Sequence, residues 1–478
     1  MSRTQRIASI LIAGGGVAGS LAAAAMRRSW GADVAVTVVS PGRRAEPGAV
    51  ALSLPPLRAL HDRLRIDEDH LVASIGASFS LGGLYEGWRD GELFFPFGET
   101  GRRIGNVALH QQWKKAWGRG LWRERFAAFS LATQAALADK FARPPRDGAN
   151  FAPSLAYGLH LPALAYANYL RMLAGRDGAV FVTGTVAAIE RRAEDPRLIE
   201  AVRLEDGSRL SADLFVDCTG SARVLAGGRD WQASPFAADR QIGFALRREG
   251  PLSPYARFTR FAGGWESRAP VAGGVGVRLV FDSKEADPAP RLDAFRGRIV
   301  GDPVEAPLDQ GALARPWEGN CIALGAASCC IEPLSGLPLL LVQGGISRLM
   351  ALFPSRDFAG GEAEEFNRLM AADRASAADL PSFLHGAHQR PALAHKVALF
   401  AARGNVAGYD DELLEDYHWI NLLLAAGVEP ESHDLFADLL GDEETLAQLG
   451  AQKEAAAKGA AVMPTLDDFL ASIRAGRG

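Results

Sequence analysis

Near the N-terminus, Ile10-Leu11-Ile12-Ala13-Gly14-Gly15-Gly16-Val17-Ala18-Gly19-Ser20 reads as a strand, a glycine turn and a helix start. Gly14 permits the tight turn, Gly16 lets the backbone approach a pyrophosphate, and Gly19 lets helix and strand pack closely. The helix start, with Val17 and Ala18 in its first turn, offers unpaired N–H groups and a partial positive charge of roughly half an electron. A strand-to-helix turn without a ligand is the plainer alternative. The apolar strand before it and the alanine-rich helix after it, running to about Arg28, favour dinucleotide binding. A second strand over Asp33 to Val39 completes a βαβ unit and opens a doubly wound sheet.

That second strand should end in Asp or Glu to hold the adenosine ribose hydroxyls. Ser40 stands there instead, able to make one hydrogen bond but not a bidentate pair, so weaker cofactor binding is expected. Arg43 and Arg44 read as solvated loop charges, with a 2′-phosphate partner as the lesser alternative.

The 478 residues leave ample room for a large core, and a formal charge of -4 implies no polyanion partner. Neither a long basic run nor a nucleic-acid motif is present. No stretch approaches the ~20 apolar residues of a membrane span; the apolar run Leu337 to Val342 ends at Gln343 and Gly344. Four cysteines, two of them adjacent at Cys329 and Cys330, make no disulfide framework, and a cytoplasmic location is expected.

Pro55-Pro56 precedes a predicted helix over Leu57 to Leu64, and residues 78–100 read as hairpins or an active-site strap. Arg143 to Gly148 is loop chemistry, and Pro162 to Ala174 reads as a helix ended by Gly175. Strands follow at Ala179 to Val182 and Val186 to Ile189, then a hairpin over Arg203 to Leu210 with an Asp-Gly turn. Ala212 to Val216 is a strand leading into Asp217-Cys218-Thr219-Gly220. Residues 240–281 carry strands punctuated by Gly263-Gly264 and Gly273-Gly274, and the chain after about Gly360 reads as helical.

Downstream, Gly319-Asn320-Cys321-Ile322-Ala323-Leu324-Gly325 runs on to Ile331-Glu332-Pro333-Leu334 and Gln343. Together with the glycine loop, Ala212 to Gly220, Pro55-Pro56-Leu57, Ile66-Asp67-Glu68, Met463-Pro464-Thr465 and Asp468-Phe469-Leu470, this order of motifs resembles the flavin-dependent tryptophan halogenase family. The resemblance spans most of the chain. It implies FAD as cofactor and a cofactor set of Gly14, Gly16, Val17, Ala18, Gly19, Ser40, Ala49, Asp217, Gly325 and Leu337. It also implies reduced flavin from a separate reductase and an aromatic substrate.

In that family, reduced flavin and oxygen oxidise halide to hypohalous acid, which a lysine captures beside the substrate with a glutamate assisting. The lysine lies in a Thr-Phe-Lys-Leu-Gly type segment; here Ala77-Ser78-Phe79-Ser80-Leu81-Gly82 matches it, so Ser80 holds the lysine position. The Glu-Pro-Leu-Glu-Ser-Thr stretch matches Glu332 to Pro338, so Ser335 holds the glutamate position and Leu337-Pro338 stand where chloride is held. Proline has no N–H for an anion, and losing one donor aimed at developing charge typically costs about 3 kcal/mol. The strap motif Gly-Val-Gly-Glu-Ala-Thr appears as Gly48-Ala49-Val50-Ala51-Leu52-Ser53, and Trp-x-Trp-x-Ile-Pro as Trp265 to Pro270 with only the first tryptophan and the proline kept.

Other residues carry weaker signals. Glu332 is expected to accept backbone N–H groups, or to be a pocket acid. Trp88, Phe94, Phe95 and Phe97 suit an aromatic slot or plain core equally, and His160 reads as a core or surface residue. His385, His388 and His395 lack the spacing of a zinc site, and no metal is expected.

The expected fold is α/β, an FAD-binding Rossmann-type flavin monooxygenase fold with a β-rich substrate layer and a helical C-terminal part. The expected division is 1–360, with the substrate layer interleaved at about 78–130 and 240–310, and 361–478. The expected function is an FAD-dependent oxidoreductase, a monooxygenase on an aromatic or bulky substrate, small molecule or peptide, that does not halogenate. Its catalytic residues are unassigned, and a homodimer is left open. A non-catalytic binding or partner protein on the same scaffold is the second reading.

Overall fold

The glycine turn joins β1 (Ser9–Ala13) to α1 (Val17–Trp30), and β2 (Ala35–Ser40) returns beside β1. The computed structural model describes residues 6–42, 48–89, 91–144, 153–227, 230–386, 390–408 and 412–476. Arg43, Arg44, Arg146 to Gly148 and His388 lie outside the described residues.

The main sheet has the order Trp317–Glu318, Cys321–Ala323, Leu214–Asp217, β1, β2, Val180–Thr183, parallel except at its first pair. A ligand crevice in such a sheet lies beyond the carboxyl ends of its strands. Those ends carry Ala13, Ser40, Asp217 and Ala323. In α1, Ala22, Ala23, Ala24 and Ala25 are all fully buried. Small side chains on every face let this helix sit between the sheet and the helix Ala163–Arg176.

A seven-stranded sheet stands beside it, ordered Ile299–Pro307, Arg240–Leu246, Gly274–Phe281, Gly264–Val271, Ala256–Phe261, Gly82–Arg89, Gly91–Pro96. The glycine pairs at 263–264 and 273–274 make its tight turns, as the sequence predicts, with Gly263 at φ +74° and Gly274 at φ +156°. Ile299–Pro307 was not predicted. It is an edge strand, almost wholly exposed, and it has no apolar alternation to read.

A small sheet links the two. In it β3 (Val50–Leu52) and Ser78–Ser80 flank Gly158–Pro162, with Leu52 opposite His160 and His160 opposite Ser78. His160 is a core residue, its Nδ1 2.9 Å from the Pro270 carbonyl, and burial lowers its pKa to about 4. The helix predicted over Leu57 to Leu64 forms as Leu57–Arg63. The one predicted to stop at Gly175 runs through Arg176, because Asp177 N–H still donates to Leu173 O. After residue 360 the chain is helical, and those helices return to the body. Asp442–Ala461 packs on Leu109–Gly118, and Asp416–Ala425 on Gly91–Pro96.

Candidate functional site

The glycine turn sits at the carboxyl edge of the main sheet, and its geometry separates three roles. Gly14 has φ +104°, and a Cβ there would lie 2.2 Å from the Cys218 carbonyl oxygen. A Cβ on Gly19 would lie 1.9 Å from Gly14 O. Both glycines are therefore required by the fold itself. Gly16 is different. Its backbone is extended, at φ -68° and ψ -167°, and a Cβ would meet nothing within 4 Å. No side chain caps the first turn of α1 and no acid lies in it. Open space over uncapped helix N–H groups is the cradle a pyrophosphate fits.

Ser40 ends β2 beside this loop, its Oγ 2.7 Å from where a Gly15 Cβ would be. Asp217 is fully buried. Its Oδ1 accepts from Thr219 N–H at 2.9 Å and Thr219 Oγ1 at 2.6 Å, and its Oδ2 from Leu225 and Ala226 N–H at 2.7 and 2.8 Å. With both oxygens so occupied, Asp217 shapes the loop under the glycine turn, and any effect on a nucleotide passes through that loop.

A cavity of about 330 Å³ opens from α1 toward the seven-stranded sheet. Val17 and Ala18, the strap residues Gly48 and Val50 to Leu52, Gly325, Ser335 and Pro338 line it. The strap is pressed onto the sheet: a Cβ on Gly48 would lie 1.7 Å from Phe244 O, and one on Gly276 2.4 Å from Gly48 O. Gly325, at φ +65°, abuts Ala18. Ala49 faces a neighbouring cavity, and its carbonyl accepts the N–H of Ala163. The Leu337 side chain is fully buried in the adjoining core. Cys329 and Cys330 are half-buried free thiols on the cavity wall, pushed by burial up to about 12 and about 11.

Ser335 is held at φ +58°, a region costly for a side-chain residue. The next residue, Gly336, packs on the end of the strap, where a Cβ would lie 2.7 Å from the Ser53 carbonyl carbon. Gln343 then ties the helix Leu337–Ala351 to the chain after the strap, donating from Nε2 to Pro56 O at 2.9 Å. Ser80 is 2% exposed, and its hydroxyl donates to Gly82 O at 3.0 Å. It is not among the residues lining the cavity that Ser335 borders.

Tyr85 was not singled out from the sequence. Its hydroxyl is fully buried and makes no hydrogen bond of ordinary geometry among the described residues. Burial pushes the phenol well above its ordinary pKa, and the neighbouring Ser335 hydroxyl acts in the opposite sense. Trp88, Phe95 and Phe97 are packed into core with Leu334 and Leu337, while Phe94 reaches a separate cavity. Glu332 departs from the expected backbone partners. Its Oε1 accepts the Trp265 indole N–H at 2.6 Å, and its Oε2 lies 2.7 Å from His385 Nε2. No local sequence pattern announces this pair, which joins positions 53 residues apart.

Comparison with known proteins agrees with this architecture. A family model described as tryptophan halogenase matches residues 9–442. Tryptophan 7-halogenase KtzQ from Kutzneria sp. (strain 744) is 27% identical over 401 residues, 77% of this chain and 73% of that protein. A flavin-dependent halogenase from Xanthomonas campestris superposes with a TM-score of 0.91 at 29% identity, covering 98% of this chain and 99% of its own. BrvH, a flavin-dependent halogenase from Brevundimonas sp. BAL3, also superposes at 0.91, with 27% identity and the same coverage. The shared architecture is the FAD-binding Rossmann-type fold, and FAD is the cofactor of these relatives. With a match that runs from β1 into the C-terminal helices, the chain belongs to the tryptophan halogenase family.

Proposed function

We propose that this chain is an FAD-dependent oxidoreductase, a monooxygenase acting on an aromatic or other bulky substrate, that has lost the halogenation route of its family. The observation that carries this reading is Ser80. At the position matching the family lysine stands a buried hydroxyl bonded to the carbonyl of Gly82, where the next strand begins. A hydroxyl there can neither form a chloramine nor supply a cation. Ser335 supplies no carboxylate, and Pro338 no N–H.

Bound FAD supplies the activation of oxygen. The chain's own part would be to hold the pyrophosphate at Gly16 to Gly19, house the cofactor in the cavity beside the strap, and keep water out with Val50, Leu52, Leu339 and Val342. Reduced flavin arrives from a separate reductase.

The test is an absorbance titration with oxidised and then photoreduced FAD, followed on exposure to oxygen. Saturable binding, with a transient that outlasts the reoxidation of free reduced FAD, is the expected result. No binding at high micromolar FAD would favour a non-catalytic partner protein, a reading that the missing acid at Ser40 also supports.

Two substitutions probe the reading. Ser40→Glu places a carboxylate beside the glycine loop and should tighten FAD about tenfold, the worth of one charge-assisted hydrogen bond; an unchanged Kd by titration would remove Ser40 from the site. Ser80→Lys with Ser335→Glu should yield no chlorinated product by mass spectrometry, because Leu337 and Pro338 still offer no halide site. Chlorination by that double variant would mean residues 336–338 are wrongly matched to the family.

A further inference from the structure

A second cavity, of about 590 Å³, lies behind the wall of the first. The wall is one short segment: Ile331 and Pro333 line the cavity beside the strap, and Glu332 between them lines the other. Glu332 is 1% exposed, a burial that a carboxylate tolerates only when it is well partnered. Its Oε1 takes the Trp265 indole N–H, and its Oε2 faces His385 Nε2 at 2.7 Å.

With Glu332 Oε2 as the acceptor, a neutral imidazole carries its proton on Nε2 and presents Nδ1 as an acceptor. No described residue bonds to Nδ1, and His385 lines the cavity. The imidazole is held edge-on to Trp88, with ring centroids 5.0 Å apart, and against Phe236 at 5.4 Å. A carboxylate-backed imidazole, oriented on two aromatic rings and with one nitrogen unused, is the arrangement of a general base or a hydroxyl receptor.

The remaining walls specify what it receives. Phe236, Phe261 and Trp265 suit a flat ring. Arg260 is accompanied by Asp282 and Glu285 among the lining residues, so a formal anion gains little from the charges present. We propose that this cavity binds a neutral phenol, with His385 Nδ1 accepting a hydrogen bond from its hydroxyl and Glu332 positioning the imidazole. Binding here needs no flavin and does not rest on the reading of the FAD site.

The test uses the purified full chain and 4-nitrophenol, followed by tryptophan quenching and by the phenolate absorbance band. At a pH near the ordinary pKa of 4-nitrophenol, saturable binding with a fall of that band is expected, because the bound form keeps its proton. The same titration with 4-nitroanisole, which has no hydroxyl, should show at least about tenfold weaker binding. His385→Gln, checked by circular dichroism for retained fold, should lose about tenfold in affinity, and the fall of the phenolate band should shift to correspondingly higher protein concentration. The proposal is overturned by no saturable 4-nitrophenol binding at millimolar ligand, by equal affinity for 4-nitroanisole, or by a folded His385→Gln variant that behaves as the parent does.

Discussion

Gly16→Val should fold as the parent does and lose FAD, whereas Gly14→Ala should fail to fold stably. The contrast follows from what each Cβ would meet. At position 16 the backbone is extended and 4 Å around the added carbon is empty, so a valine strains nothing already present. Its penalty is confined to replacing glycine at a helix N-cap, about 1 kcal/mol or less. The volume it occupies is the space over the α1 N–H groups where a pyrophosphate would sit, and its methyls remove that approach. We expect FAD affinity to fall at least about 100-fold, a loss of roughly 2.7 kcal/mol. At position 14 a Cβ would stand 2.2 Å from the Cys218 carbonyl oxygen with φ at +104°. Neither partner there is a flexible side-chain end, so β1 and the loop after Asp217 must separate. That should cost about 3 kcal/mol or more and appear as a lower thermal midpoint and poor soluble yield. Parent-like FAD titration by Gly16→Val would show that the open space is not a phosphate cradle.

The same two glycines show why part of this fold is legible in the sequence alone. The strand, turn and helix around them obey local rules, in which each residue constrains only its neighbours. The hairpin Ile199–Leu204 with Arg209–Ser211 and the glycine-punctuated strands from 256 to 281 were legible for the same reason. The strap illustrates the opposite case. That β3 and Ser78–Ser80 lie on either side of Gly158–Pro162 is a matter of pairing across about a hundred residues, and no local pattern encodes it. Glu332 stands out in the sequence, but its partners do not. Trp265 reaches it from the other sheet, and His385 from a helix end in the C-terminal region. In the sequence, the spacing of His385 speaks only to metal binding, which it disfavours. What ties it to Glu332 is burial, and burial is set by the assembled fold.

Asp217→Ala should be among the most damaging single substitutions outside the apolar core. The carboxylate takes three backbone N–H groups and one hydroxyl from residues 219 to 226, and it is fully buried at the end of the strand Leu214–Asp217. Alanine leaves the N–H groups of Leu225 and Ala226 without an acceptor in a place water cannot readily reach. Each buried unsatisfied donor costs about 1–3 kcal/mol, so a total near 4 kcal/mol is expected, a large part of the 5–15 kcal/mol that stabilises a typical domain. Asp217→Asn should fall between the two, since an amide keeps one acceptor but turns an NH₂ toward donors. Because the Cys218 carbonyl packs against Gly14, the loosened loop should also weaken FAD binding in whatever folded protein survives. Urea unfolding followed by fluorescence measures the first effect, and FAD titration below the transition the second. An Asp217→Ala protein with the parent's midpoint and FAD affinity would mean that the loop 219–226 is held by something other than this carboxylate.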